Sequence, residues 1–169
     1  MSRQSKDNGG GVIPNPYTGS DTYNCFGCAP HNAQGLRMEF TRHGDEVRAR
    51  WQPRPEFEGF PGIVHGGIQA ALADETAAWY VHAVPGTAGL TKELHVQYHK
   101  PAQFADAPFE IVAQKTGGKG REVDIEVTIS GASGTLFSTA QCRFVVFNED
   151  VARKRLGFPG AAAFRPAAD

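Results

Sequence analysis

The chain has 169 residues, with 17 Lys and Arg against 18 Asp and Glu, a formal charge of −1, and a hydrophobic fraction of 40%. That length suits one domain able to bury a core, and so balanced a charge excludes the basic surface of a nucleic-acid or anionic-membrane binder. No apolar run approaches the ~20 residues of a membrane span. The opening MSRQSKDNGGGVIPNPYTGS lacks the apolar core of a secretory signal, so a cytoplasmic location is expected.

Residues 1–23 are polar, with Gly9, Gly10 and Gly11 in a row and Pro14 and Pro16 behind them. They predict a flexible N-terminal arm, because so little apolar surface does not offset the entropy of ordering. The main domain is expected over 24–148. It opens on a lead-in loop, CFGCAPHNAQG, that carries a C-x-x-C at Cys25 and Cys28 with His31 close by; Cys142 is the third thiol. An odd number of cysteines in a chain this long argues for reduced thiols. A structural zinc site usually needs a second ligand pair, and none follows; a thioredoxin-like redox motif needs a preceding strand, and none is present. No metal is expected.

Leu36 to Phe40 and Glu46 to Trp51 alternate apolar and polar residues about a turn at His43-Gly44-Asp45, predicting a β-hairpin. Pro53, Pro55, Gly59, Pro61 and Gly62 then make a loop that no central strand accommodates. It ends at His65-Gly66-Gly67, where a helix is predicted to run from Gly66 to about His82. Ile68, Leu72, Glu75 or Thr76, and Trp79 fall at helical spacing. The other side gathers Gly67, Ala70, Ala71, Ala77 and Ala78 around Asp74, and Pro85-Gly86 ends the helix. Four strand-like runs follow: Leu90 to His99, Phe109 to Gln114, Glu122 to Ser130 and Thr135 to Phe147. They read as an antiparallel meander, with Val123, Ile125, Val127 and Ile129 on its buried face. The whole is an α+β domain, one long helix on a curved antiparallel sheet of about six strands. The tail over 149–169, with Arg153, Lys154 and Arg155, predicts a short terminal turn and a frayed end.

A Gly-rich turn feeding a helix that carries a carboxylate suits carbonyl chemistry. First-turn N–H groups have no internal partner and attract developing negative charge, while the carboxylate acts as acid, base or nucleophile. Small residues leave room for a ligand beside Asp74; the plainer reading is a solvated helix face. Glu75 lies on the apolar stripe, so it is either a buried, paired carboxylate or the site residue itself, and the alanines favour Asp74. Gly66-Gly67 is otherwise a tight turn, His65 a capping residue, and Thr91 an ordinary strand threonine. His95, Gln97 and His99 share one strand face as surface or interface groups.

The order of elements, with GIVHGGIQAALADE at 62–75, resembles the hotdog-fold acyl-CoA thioesterases, in their phenylacetate-pathway (PaaI-like) branch. CFGC..HNAQGLRMEF is similar to that branch's lead-in, EGFPGIVHGG to its loop, and GLTKELHVQYHKPA to the strand after its helix, so the resemblance spans 24–147. It implies a hotdog fold and hydrolysis of an acyl-CoA thioester to free acid and CoA, with no cofactor because CoA is part of the substrate. Asp74 becomes the catalytic carboxylate, Gly66 N–H the donor to the carbonyl oxygen, His65 the histidine beside it, and Thr91 the residue that orients water. Some members carry Asn six residues before the histidine, where this chain has Gly59. Lys115, Lys119 and Arg121, in KTGGKGR, are candidates for the CoA phosphates, or else a soluble basic turn. Phe57, Phe60 and Trp79 are expected to line the acyl end. The resemblance also implies a homodimer with a site between subunits, and beyond it a homotetramer built as a dimer of dimers. The alternatives are a non-catalytic acyl-CoA sensor and a hydratase on the same scaffold.

Overall fold

The computed structural model describes residues 10–167. In chain order, β1 (Gly11–Val12), β2 (Phe40–His43) and β3 (Glu46–Trp51) precede a small ribbon, β4 (Glu58–Phe60) with β5 (Ile63–Val64). Next come the helix α1 (Gly66–Ala83) and four long strands, β6 (Gly89–Tyr98), β7 (Phe109–Gly117), β8 (Glu122–Ser130) and β9 (Leu136–Val146). A second helix, α2 (Glu149–Leu156), closes the order. The main sheet has seven antiparallel strands in the order β1-β2-β3-β7-β8-β9-β6.

One long helix on an antiparallel sheet is the predicted architecture, with β1 as the additional strand. Two details differ. Leu36 to Met38 is not strand: Arg37 takes φ 55, and Leu36 and Met38 donate their N–H groups to the carbonyls of Phe26 and Gly27 in the lead-in loop. Only β7, β8 and β9 form a meander, because β6 pairs with β9 at the far edge while β7 pairs with β3. The Pro-rich segment 99–108 carries the chain across to make that exchange.

α1 carries apolar residues nearly all round. Leu72, Ala73, Thr76, Ala77, Trp79 and Tyr80 are buried on it, and it crosses the sheet against β3, β6, β7, β8 and β9. On β8, Val123, Ile125, Val127 and Ile129 fill the face beneath it. Arg42 donates to the carbonyl of Ala83 at 2.6 Å, putting a cation at the helix's negative end.

Both ends of the described chain are packed, against expectation. β1 pairs with β2, Ile13 is buried, Tyr17 stacks on Tyr23 at 5.5 Å, and Asn15 donates to the carbonyl of Cys28. Three apolar anchors in a polar stretch suffice to fix residues 10–23; residues 1–9 of the predicted arm lie outside the described residues. At the other end Asn148 caps α2 by accepting from Val151 N–H at 2.9 Å. Phe158 and Phe164, both buried, then cluster with His82 of α1, their rings 5.7 and 4.8 Å from its own and 5.5 Å from each other. The tail is a lid on the helix end, not a frayed end.

Burial holds the His82 pKa below its ordinary 6.5, while its Nδ1–H donates to the carbonyl of Thr87 at 2.9 Å. A base with a lowered folded pKa contributes fully above its unfolded pKa, so stability is expected to fall as the pH drops below about 6.5. The difference between the pH-dependent urea stabilities of wild type and His82→Phe isolates this group. Its slope approaches about 1.4 kcal/mol per pH unit at most; a flat difference curve removes His82 as the cause.

Candidate active site on the central helix

The loop before α1 is shaped so that the helix begins at an open groove. The β4–β5 ribbon folds back on His65, whose N–H donates to the carbonyl of Phe57 at 2.9 Å. At Gly59 a Cβ would stand 3.1 Å from the Cα of His65, so glycine is what lets the ribbon close. The asparagine that some relatives carry there does not fit this close approach without a shift. His65 is the N-cap of α1, and its Nδ1 accepts from Gly67 N–H at 2.9 Å. That bond leaves the ring proton on Nε2. Gly66 is the first helical residue, where the N–H has no intrahelical partner. Its carbonyl accepts from the Tyr98 hydroxyl at 2.6 Å, which ties the helix start to β6. Phe60, Val64, His65, Gly66, Gln69 and Tyr98 are among the walls of a groove of about 670 Å³.

Asp74 is half-buried on the same helix, and its Oδ1 accepts from the Thr91 hydroxyl at 2.7 Å. That contact depends on an irregularity of β6. Thr91 pairs with Phe144 and Glu93 with Arg143, so Lys92 is an extra residue bulged out of the ladder. Simple alternation would put Thr91 on the outer face with Glu93, His95 and Gln97; the bulge returns it to the helix side. Eight residues separate Gly66 from Asp74 on α1, about 12 Å of helix axis. One chain therefore cannot present both groups to a single carbonyl.

Glu75 takes the other of its two predicted roles, a paired carboxylate, and is partly buried. Trp79 Nε1–H donates to its Oε1 at 3.1 Å, and the thiol of Cys25 lies 3.6 and 3.7 Å from its two oxygens. Burial raises its pKa to about 7. Asp74 and Thr91 are thus together at one position of the helix, His65 and Gly66 at another, and Glu75 belongs to neither.

The expected acyl pocket is divided. Phe60 lines the groove and is 76% exposed. Phe57 and Trp79 are corrected to core residues: Phe57 packs on Trp51 at 5.7 Å, and Trp79 stacks on Phe40 at 4.6 Å. Tyr98 and Gln69 line the groove without a sequence expectation. Gln69 is buried, with its Oε1 accepting from Ser138 at 3.0 Å. Lys119 and Arg121 lie in the β7–β8 turn with Lys115 at the end of β7. Thr91 pairs with Phe144 and Phe144 with Val123, which puts this turn at Thr91's end of the sheet, two strands or about 10 Å across.

Residues 61–137, which hold the ribbon's second strand, α1 and the strands up to the start of β9, match the thioesterase superfamily. The architecture around this match is the hotdog fold. The thioesterase superfamily protein RHA08564 is similar at 27% identity and a TM-score of 0.63, over 69% of this chain and 57% of that one. This chain thus spans just over half the length of that relative. A hypothetical thioesterase from Streptococcus pneumoniae TIGR4, whose crystal structure contains coenzyme A, is similar at 19% identity and a TM-score of 0.58, over 62% of this chain and 82% of its own. The E. coli PaaI protein, from the phenylacetic acid degradation operon, is similar at 14% identity and a TM-score of 0.59, over 68% and 82%.

Proposed function

We propose that this protein is an acyl-CoA thioesterase with Asp74 as its catalytic carboxylate, and the Thr91–Asp74 hydrogen bond of 2.7 Å is the observation that carries the reading. The bond occupies one carboxylate oxygen and orients the other. Asp74 takes a proton from water as the water oxygen attacks the thioester carbon. The oxyanion that forms accepts from Gly66 N–H of the partner subunit, at the positive end of a helix. As the C–S bond breaks, the departing CoA thiolate takes the proton back from Asp74. Direct attack by the carboxylate uses the same groups.

Two subunits are required because about 12 Å of helix separates the two halves within one chain. The outer edge of β6 is the surface for that pairing: it ends the sheet, and Leu90, Leu94 and Tyr98 are exposed along it. A homodimer is the least assembly this mechanism allows, and a tetramer of two such dimers keeps both sites. The basic groups Lys115, Lys119 and Arg121 serve the phosphates of CoA. The CoA in the S. pneumoniae relative supports that choice of carrier.

A panel of short, long and aryl acyl-CoAs, followed by thiol release, tests the reading. Hydrolysis of at least one class is expected. A rise in thermal midpoint with acyl-CoA but no thiol release would make the protein a sensor, and the absence of both would end the CoA assignment.

A further inference from the structure

The C-x-x-C that the catalytic reading leaves unused meets Glu75 beneath the lead-in loop. Among the described residues, Cys25, Cys28 and Glu75 form the only cluster whose possible metal-binding atoms all lie within 4.8 Å of one another. Two thiols and a carboxylate thus converge beneath the lead-in loop, the donor set that a thiophilic cation takes. We propose that Cys25, Cys28 and Glu75 bind a divalent thiophilic cation of the zinc class, through two thiolate sulfurs and one carboxylate oxygen.

The dimensions agree. Bonds of about 2.3 Å to sulfur and 2.0–2.2 Å to oxygen in a tetrahedron put ligand atoms about 3.5–3.8 Å apart. Cys25 Sγ already stands 3.6 and 3.7 Å from the Glu75 oxygens. The surroundings also hold the ligands in place, as outer-shell groups do around a metal. The Tyr23 hydroxyl lies 2.7 Å from Cys28 Sγ and accepts from Asn15 Nδ2 at 3.2 Å, while Trp79 Nε1–H fixes Glu75 Oε1. Gly27, between the cysteines, packs against the Glu75 carboxylate, so any side chain there would push that carboxylate aside. Cys25 is half-buried where Cys28 is buried, so the fourth position opens on the Cys25 side and is left to water. Such an ion would pin the lead-in loop to the helix one residue from Asp74, and the inference stands whether or not Asp74 hydrolyses thioesters.

The test uses the full chain, purified without chelator, and reads metal content by mass spectrometry. About one zinc per chain is expected. After chelation, added Co²⁺ should give sulfur-to-cobalt charge-transfer absorbance, and Cys25→Ser, Cys28→Ser and Glu75→Gln should each weaken Co²⁺ binding at least ~10-fold. Glu75→Gln preserves shape, so a folding failure in a cysteine variant does not block the result. Failure of the wild-type chain to bind Zn²⁺ or Co²⁺ would overturn the proposal. So would a Cys25–Cys28 disulfide in the purified protein, or binding that survives all three substitutions.

Discussion

Asp74→Asn is expected to lower kcat for acyl-CoA hydrolysis by about 10²–10⁴ while leaving the thermal midpoint in place, because general acid–base catalysis contributes that much and little else is removed. Asparagine keeps the size of the side chain and an oxygen to accept from Thr91, so the 2.7 Å contact survives and only the proton-accepting group is lost. Thr91→Val provides the graded comparison. It deletes the donor and leaves the carboxylate, and a hydrogen bond to a charged group is worth about 1.5–3 kcal/mol, so one to two orders of magnitude in kcat are expected. The measurement is steady-state thiol release over a range of acyl-CoA concentrations. Wild-type turnover in Asp74→Asn would remove this carboxylate from the mechanism; an equal loss in both variants would mean that Thr91 does more than orient it.

Trp79→Ala is expected to cost about 3–5 kcal/mol of stability, a fall in thermal midpoint of roughly 6–20 °C for a domain of this size. Trp79 joins three parts of the chain. Its ring stacks on Phe40 at 4.6 Å and meets Phe164 edge-on at 5.6 Å, and its N–H serves Glu75 at 3.1 Å. Truncation therefore leaves a cavity between β2, the helix and the tail, and strips the Glu75 carboxylate of its N–H donor. Below its melting range the variant should keep the wild-type KM, since Trp79 is absent from the groove walls. A raised KM with normal stability would return Trp79 to the acyl pocket.

Much of this arrangement was legible before the structure. The helix over Gly66–Ala83 follows from helical spacing and the flanking Gly and Pro, and β8 from its strict alternation, because both patterns are local. The pairing of Glu75 inside the fold was also legible as one of its two readings, since it lies on an apolar stripe while alanines surround Asp74. What failed was what depends on distant partners. The aromatic residue at position 79 suits either a pocket wall or the core, and only Phe40 and Phe164 decide between them. Tyr98 reaches Gly66 across 32 residues, and no local pattern signals that. The N-terminal stretch looked too polar to order, yet Ile13 is buried and Tyr17 packs on Tyr23, on His82 of the helix and on Phe164 of the tail. The C-x-x-C lacked a second ligand pair in sequence because its third donor comes from the helix, 47 positions beyond Cys28.

The extra residue at Lys92 divides β6 into two segments of opposite phase. From Leu94 onward the strand keeps the rhythm of the sheet, with Leu94, Val96 and Tyr98 turned to the helix; before it the rhythm is reversed, and Thr91 is turned to the helix instead. Loss of Lys92 alone would make the ladder more regular. The same loss would have to shift Thr91 along the sheet or turn it away from Asp74, so the more perfect strand would be the poorer one for chemistry. The imperfection is a phase shifter, and a one-residue change in length there is worth more to function than most changes of side chain along the same strand.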